Sequence, residues 1–157
     1  MVRTVAISII GVVIALGLIF LIQPKAGVIG QTGMQPLRLD IEANNVKDLS
    51  GIQADVIYNP DVVQYVATEK GPFLDSGNSK DAMLLSTLDP STAGVVKNII
   101  VLRLQPTGVS GSGIIATVHF ERIATGDPGI NLQNVVLSDS NVNPLPPSDV
   151  TGAITVG

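Results

Sequence analysis

The feature that most constrains the fold is a two-residue alternation of apolar and polar side chains that begins at residue 37. In LRLDIEA, residues 37–43, three apolar side chains alternate with three charged ones, namely Leu37, Leu39 and Ile41 with Arg38, Asp40 and Glu42. Successive side chains of a β-strand point to opposite faces of the sheet. The segment is therefore predicted to be a strand with one face buried and the other in solvent.

Similar short runs continue to the end of the chain. They cover residues 51–61, 62–67, 82–88, 98–106, 113–123, 130–137 and 152–156. Clusters of Gly, Pro, Asp and Ser separate them, in agreement with the 16 Gly and 10 Pro of the chain, and such clusters are typical of turns. The pattern predicts an all-β fold, specifically a β-sandwich, over residues 35–157.

Three segments of this region resemble the cohesin module of scaffold proteins, and they keep the order and approximate spacing of that family. They are VKDLSGIQADVIYNPDVVQYVATEKGPFL at 46–74, GVSGSGIIATVHFERI at 108–123 and INLQNVVLSDSNVNPLP at 130–146. The resemblance implies a jelly-roll β-sandwich of about nine strands. Because cohesin modules of scaffold proteins bind dockerin domains, it also implies a possible dockerin-like protein partner.

The strand at 113–123 is predicted to have two distinct faces. Its even-numbered members form one face and its odd-numbered members the other, with Ile114, Ala116, Val118 and Phe120 opposed to Ile115, Thr117, His119 and Glu121. Tyr58 is expected to cap the core where its strand ends at the turn Asn59-Pro60.

A second constraint is the apolar run from Val5 to Ile22, which contains no charged side chain. A helix of this length rises about 27 Å, close to the roughly 30 Å thickness of the hydrocarbon core of a bilayer. Arg3 precedes the run, so the positive-inside rule places the N-terminus in the cytoplasm and the β-rich region outside. The sequence predicts one N-terminal hydrophobic α-helix over residues 1–26 and a linker over residues 27–34.

This helix is open to three interpretations: a cleaved signal peptide, a membrane anchor or a filament core. Pro24-Lys25-Ala26 is a poor cleavage site, because signal peptidase sites need small residues. An apolar N-terminal helix before a β-rich head resembles the type IV pilin superfamily, although Val5 stands where that family usually has Glu. The resemblance implies assembly through Val5, Ile9, Gly11, Val12, Ala15, Leu16, Ile19 and Phe20, with a hinge at Pro24, Gly27 and Gly30. Gly11 and Ala15 have the spacing that lets helices approach closely.

Few residues indicate chemistry. The chain has no Cys, which excludes disulfides and thiol catalysis, and its single His119 is interpreted as a histidine on a sheet face. Ser110 and Ser112 lie in a Gly-rich segment with no sign of activation. Two groups of oxygen-bearing side chains could supply Ca²⁺ ligands: Asp75, Asn78 and Asp81, and Asp139, Asn141 and Asn143. The first group lacks EF-hand spacing, and both are interpreted as solvated loop residues. We predict no catalytic residue, no cofactor and no metal site.

The predicted protein is a non-catalytic, extracellular cell-surface protein. All thirteen acidic residues but only seven basic ones lie beyond residue 26, and this net negative charge is a poor match to a nucleic-acid partner. The first interpretation is a pilin-like subunit, inserted in the membrane before assembly, that forms a homo-polymer through its helix. The alternative is a membrane-tethered cohesin-like module that binds a dockerin-type or other surface partner.

Overall fold

The structure, a computed structural model, describes residues 35–78, 80–88 and 92–156. These residues form eight strands: β1 Leu37–Ile57, β2 Val63–Lys70, β3 Ala82–Leu88, β4 Val95–Arg103, β5 Val109–Arg122, β6 Asn131–Asp139, β7 Pro144–Leu145 and β8 Val150–Val156. Two short 3₁₀ turns, Phe73–Asp75 and Pro147–Asp149, complete the described part of the chain. The all-β prediction is confirmed. The predicted helix of residues 1–26 and the linker of 27–34, with their assembly and hinge residues, lie outside the described residues.

Strand β1 belongs to both halves of the sandwich. Its first part, residues 37–43, pairs antiparallel with β5 and β8, whereas its last part, residues 51–57, pairs with β4 and β6. Between the two parts, Asn45 and Asp48 take positive φ values of 52° and 56°, and the register with β5 shifts on either side of Val46. Bulges of this kind bend and twist a strand, so that one strand can pass from one sheet layer to the other.

The strands are thus arranged in two layers. We call the layer with the order β8, first part of β1, β5 and β2 the first layer, and the layer with the order β6, last part of β1, β4 and β3 the second layer. The sequence pattern predicts two separate runs, residues 37–43 and 51–61, whereas in the structure one continuous, bulged strand, β1, includes residues 37–57.

The core lies between the two layers and is filled by alternate side chains of each strand. Its largest fully buried members are Phe120, Leu39, Ile41, Leu49, Leu74, Ile99, Ile115 and Leu137. The ring of Phe120 lies 5.3 Å from that of Tyr58 and 6.4 Å from that of Tyr65. Tyr58 packs against the core as predicted.

The predicted faces of β5 need one correction. Ile115 is fully buried, although the strict alternation assigns it to the face of Thr117 and His119. The reason is a bulge, because Ile41 pairs with Ala116 while the next residue, Glu42, pairs with Ile114. Ile115 is therefore an extra residue in the strand, and both it and Ala116 contribute to the core.

Candidate binding face

The outer surface of the second layer carries apolar side chains on neighbouring strands. Residues that are directly opposite in register share a face. Two rows therefore cross the layer, with Ser138, Gly51, Leu102 and Met83 in one and Val136, Gln53, Ile100 and Leu85 in the other. We call the five apolar residues in these rows the apolar face: Met83, Leu85, Ile100, Leu102 and Val136.

The apolar face is open to solvent. Leu85 is 48% exposed, Leu102 40% and Val136 57%, and Met83 is also exposed. The next residue after Val136 in the same strand, Leu137, is 1% exposed and points into the core. Both sides of this layer therefore carry apolar residues, whereas a layer that only covers a core needs them on one side. A contiguous exposed apolar patch on a folded protein marks an interaction surface.

A shallow depression lies near the middle of this face. It has a volume of about 180 Å³ and is lined by Gly51, Ile52, Gln53, Ile100, Leu102, Val136 and Ser138. A Cβ atom on Gly51 would stand 2.9 Å from Ser138 Oγ and 3.1 Å from Leu102 Cδ2. Because Gly51 has no side chain, the side chains of Ser138 and Leu102 can lie close to its backbone.

A polar rim borders one end of the apolar face and consists of Asp55, Asn98 and Asn134. The carboxylate of Asp55 accepts hydrogen bonds from the backbone N–H of Asn98 at 2.8 Å and from Asn134 Nδ2 at 2.7 Å. Asn98 and Asn134 have positive φ values of 53° and 52°, a conformation that Asn tolerates better than most residues. Asp55 therefore ties β4 and β6 to the strand between them and fixes the shape of the face.

The outer surface of the first layer has the opposite character, and we call it the charged face. Asp40 is only 4% exposed, accepts a hydrogen bond from Thr117 Oγ1 at 2.7 Å and pairs with Arg38 at 3.1 Å. His119 lies on this face, as predicted, with its Nε2 3.4 Å from Glu69 Oε2. These groups are partners for one another rather than for an apolar ligand.

Ser110 and Ser112, the two serines of the Gly-rich segment, contact the bulged part of β1. Ser112 Oγ accepts a hydrogen bond from the backbone N–H of Asn45 at 2.9 Å, and Ser110 Oγ accepts one from the backbone N–H of Asp48 at 3.0 Å. Both hydroxyls therefore satisfy backbone donors that the bulges of β1 leave unpaired in the strand ladder. Among the hydrogen bonds of the described residues, neither serine contacts His119.

Asp139, one of the residues considered as Ca²⁺ ligands, holds its own loop. Asp139 accepts hydrogen bonds from the backbone N–H groups of Asn141 and Asn143, each at 2.8 Å, and from Asn143 Nδ2 at 2.9 Å. These hydrogen bonds lower the pKa of Asp139, and the bond from the Asn143 side chain has the largest effect. The pKa of Asp48 is lowered by the Ser140 hydroxyl and by the backbone N–H of Gly108. Within residues 35–78, 80–88 and 92–156, no group of three His, Cys, Asp or Glu has a metal-binding arrangement.

The apolar face was not identified in the sequence, although a signal for it exists. The runs AMLLSTL at 82–88 and NIIVLRL at 98–104 are apolar at consecutive positions, where a half-exposed strand would alternate. Consecutive apolar residues in a strand indicate either that both faces of the strand are buried or that its outer face is apolar. Which of these applies depends on what covers the sheet, and the sequence does not contain that information.

Comparison with known proteins assigns the described region to a family. A family model for the cohesin domain matches residues 35–156, and the chain therefore belongs to the cohesin family. Among proteins with curated descriptions, none matches the sequence. Within the described residues, no helix has the length and hydrophobicity needed to cross a bilayer.

Solved structures agree on the fold. The type II cohesin A11 from Bacteroides cellulosolvens is 19% identical, with a TM-score of 0.63 over 78% of this chain and 91% of that one. A type II cohesin–X-dockerin complex from Acetivibrio cellulolyticus matches at 15% identity and a TM-score of 0.60, over 71% and 82% of the two chains. A non-cellulosomal cohesin from the archaeon Archaeoglobus fulgidus matches at 14% identity and a TM-score of 0.54, over 71% and 73%. The predicted cohesin-like sandwich is confirmed.

Proposed function

We propose that residues 35–156 form a non-catalytic docking module that binds a protein partner through the apolar face. The observation that supports this most directly is the exposure of Met83, Leu85, Leu102 and Val136 on one side of the second layer. The partner we propose is a dockerin-type domain, since solved cohesins that share this fold include one in complex with an X-dockerin and one in complex with a Cel5 dockerin. This is the alternative interpretation of the sequence, and the comparisons favour it over the filament subunit.

The chemistry of the face defines the partner's surface. Apolar groups at the centre of an interface contribute about 25 cal/mol per Å² of apolar area removed from water. A stable interface buries roughly 800 Å² on each partner, which is more than five side chains supply, so the polar rim must also be covered. We therefore expect the partner to present apolar side chains at its centre and hydrogen-bonding groups toward Asp55 and Asn98.

The rigidity of the face favours binding. Ile100 and Leu102 stand on β4, which is paired on both sides, and Asp55 ties β4 and β6 to β1, so few backbone degrees of freedom are lost when the partner docks. Preorganisation of this kind raises affinity because it lowers the entropic cost of association.

The cellular setting follows from the N-terminal segment. A hydrophobic helix over residues 1–26 with Arg3 on its cytoplasmic side would hold the module outside the cell, at the surface. The pilin-like filament interpretation depends entirely on the same segment, which lies outside the described residues, and it stays a prediction. We propose the tethered module because the apolar face gives it a specific binding surface.

Calorimetric titration of the protein with a panel of dockerin domains tests this function. We expect at least one dockerin to bind, and Val136→Asp to weaken that binding about 100-fold or more, because a buried unpaired carboxylate costs several kcal/mol. Val66→Asp is the matched control, since Val66 is 58% exposed but lies on β2 in the other layer. If the control variant loses as much affinity as Val136→Asp, the apolar face is not the binding surface. If no dockerin binds the unaltered protein, the dockerin assignment is wrong.

A further inference from the structure

Strand β8 is an edge strand that carries none of the usual protection against further pairing. It pairs with β1 over seven consecutive residues without a register shift, and no other described strand lies on its second side. Its sequence, VTGAITV, contains no charged residue and no Pro. Such an edge presents a row of free backbone donors and acceptors to any strand that approaches it.

The other described edges are protected. Strand β2 carries Glu69 and Lys70 and has a bulge between Tyr65 and Ala67. Strand β3 has a register shift between its fourth and sixth residues, and the edge of β6 is partly covered by β7 with its Pro144. Because bulges, charges and Pro are the devices that prevent edge pairing, their absence from β8 distinguishes this edge from the others.

The sequence of β8 is nearly the same when read in either direction about Ala153. In an antiparallel pair of two β8 strands centred on Ala153, Val150 faces Val156, Thr151 faces Thr155, and Gly152 faces Ile154. The register with β1 places Val150, Gly152, Ile154 and Val156 on the core side and the two Thr on the outer side. The Val side chains of one copy would thus face Val side chains of the other, and the Thr side chains would face Thr side chains.

Exposure on the core side supports the same arrangement. Ile154 is 47% exposed and Val156 is 61% exposed, although their β1 partners Leu39 and Leu37 are buried in the core. A second β8 would cover both side chains, with Ile154 of each copy beside Gly152 of the other. A two-fold axis brings like surfaces together, and here no charged residue of β8 opposes its copy.

We infer that β8 is the contact through which two copies of this chain associate, with the two first layers joined into one continuous sheet. A seven-residue strand pair buries less area than a standard interface, so the association is weak in dilute solution. It becomes favourable when copies are held side by side, because tethering raises the effective concentration. The contact lies on the layer opposite the apolar face, so each copy keeps its proposed binding surface.

Cysteine cross-linking of the full chain in mild detergent tests this contact, since the described chain has no Cys of its own. In the proposed pair, the two Ala153 Cα atoms lie about 4.5–5.5 Å apart, within the range that a disulfide can bridge. We expect Ala153→Cys to form a cross-linked dimer under mild oxidation. Gln64→Cys, an exposed position on the β2 edge, is the matched control and should give several-fold less.

The register is tested with two further variants. A mixture of Thr151→Cys and Thr155→Cys should cross-link, whereas either variant alone should not, because like positions are about 13 Å apart along antiparallel strands. Adding Val156→Lys to Ala153→Cys should reduce the dimer without altering thermal unfolding. The inference is overturned if Ala153→Cys cross-links no more than the β2 control, or if Thr151→Cys alone reacts as well as the mixture. A dimer held only by the N-terminal segment would give the second result.

Discussion

The two outer faces of the sandwich share one strand but have opposite surface chemistry. On the charged face, β1 contributes Arg38 and Asp40, which form an ion pair, and Asp40 also accepts a hydrogen bond from Thr117. On the apolar face, the same strand contributes Gly51 and Gln53, and its neighbours supply Leu102 and other exposed apolar residues. On the charged face, the nearly buried carboxylate of Asp40 has its partners within the molecule. The apolar face leaves its side chains exposed to water, which is the property expected of a surface that binds a partner.

The largest expected difference in the free energy of unfolding is between substitutions on the inner side and on the outer side of the second layer. Leu137 is 1% exposed and Leu102 is 40% exposed, so the same Leu→Ala change removes core packing at one and surface area at the other. We expect Leu137→Ala to lower the free energy of unfolding by about 2–5 kcal/mol, and Leu102→Ala by less than about 1 kcal/mol. Urea unfolding measures both. Equal destabilisation by the two variants would mean that Leu102 supports the fold rather than a partner.

A smaller effect is expected on the charged face. Thr117→Val removes a hydrogen-bond donor from the nearly buried carboxylate of Asp40, which should lower the free energy of unfolding by about 1–2 kcal/mol. Leu85→Thr on the apolar face is the control and should change it by less than about 0.5 kcal/mol. The contrast between the faces would be lost if Leu85→Thr proved to be the more destabilising change.

The next prediction concerns pH and the loops that hold β6. Hydrogen bonds lower the pKa values of Asp48 and Asp139 below their ordinary value of 3.8. A carboxyl group with a lowered pKa in the folded state adds stability above the unfolded-state pKa, and this stability is lost as the pH falls through the folded-state value. We therefore expect the free energy of unfolding to decrease from pH 5 to pH 2. The double variant Asp48→Asn, Asp139→Asn should show a smaller decrease, and an unchanged decrease would exclude these two groups as its source.

A small change in stability is expected at Gly51, where binding should respond instead. In Gly51→Ala the new methyl would displace two flexible side-chain ends, those of Ser138 and Leu102. We expect a change of less than about 1 kcal/mol in the free energy of unfolding, together with a several-fold loss of dockerin affinity, because the depression at the centre of the face is filled. Unchanged affinity would show that the depression is not part of the interface.

Much of the fold follows from local sequence patterns. The alternation in residues 37–43 and the turn residues between strands are enough to predict a β-sandwich, because strand periodicity is local. The length of β1 is not predictable in this way, since its bulges depend on Asn45 and Asp48 and on the hydroxyls of Ser110 and Ser112 from a distant strand. The burial of Ile115 has the same origin, because a bulge is defined by two strands together.

The candidate site is less predictable than the fold. Leu85, Ile100 and Val136 are far apart in sequence and become one surface only through the order of the strands. Asp40 shows the converse, since its charge predicts an exposed position whereas Thr117 and Arg38 enclose it. In both examples the deciding information is which strands are neighbours, and that is a property of the whole chain.

Methyl NMR of the protein labelled at Met, Ile, Leu and Val, with and without a dockerin that binds in calorimetry, tests the central claim most directly. We predict that the largest shift changes occur on the apolar face, at Met83, Leu85, Ile100, Leu102 and Val136. Methyl groups elsewhere on the surface, at Val66, Ile154 and Val156, should change little. Large changes at those three residues with none on the apolar face would contradict the account.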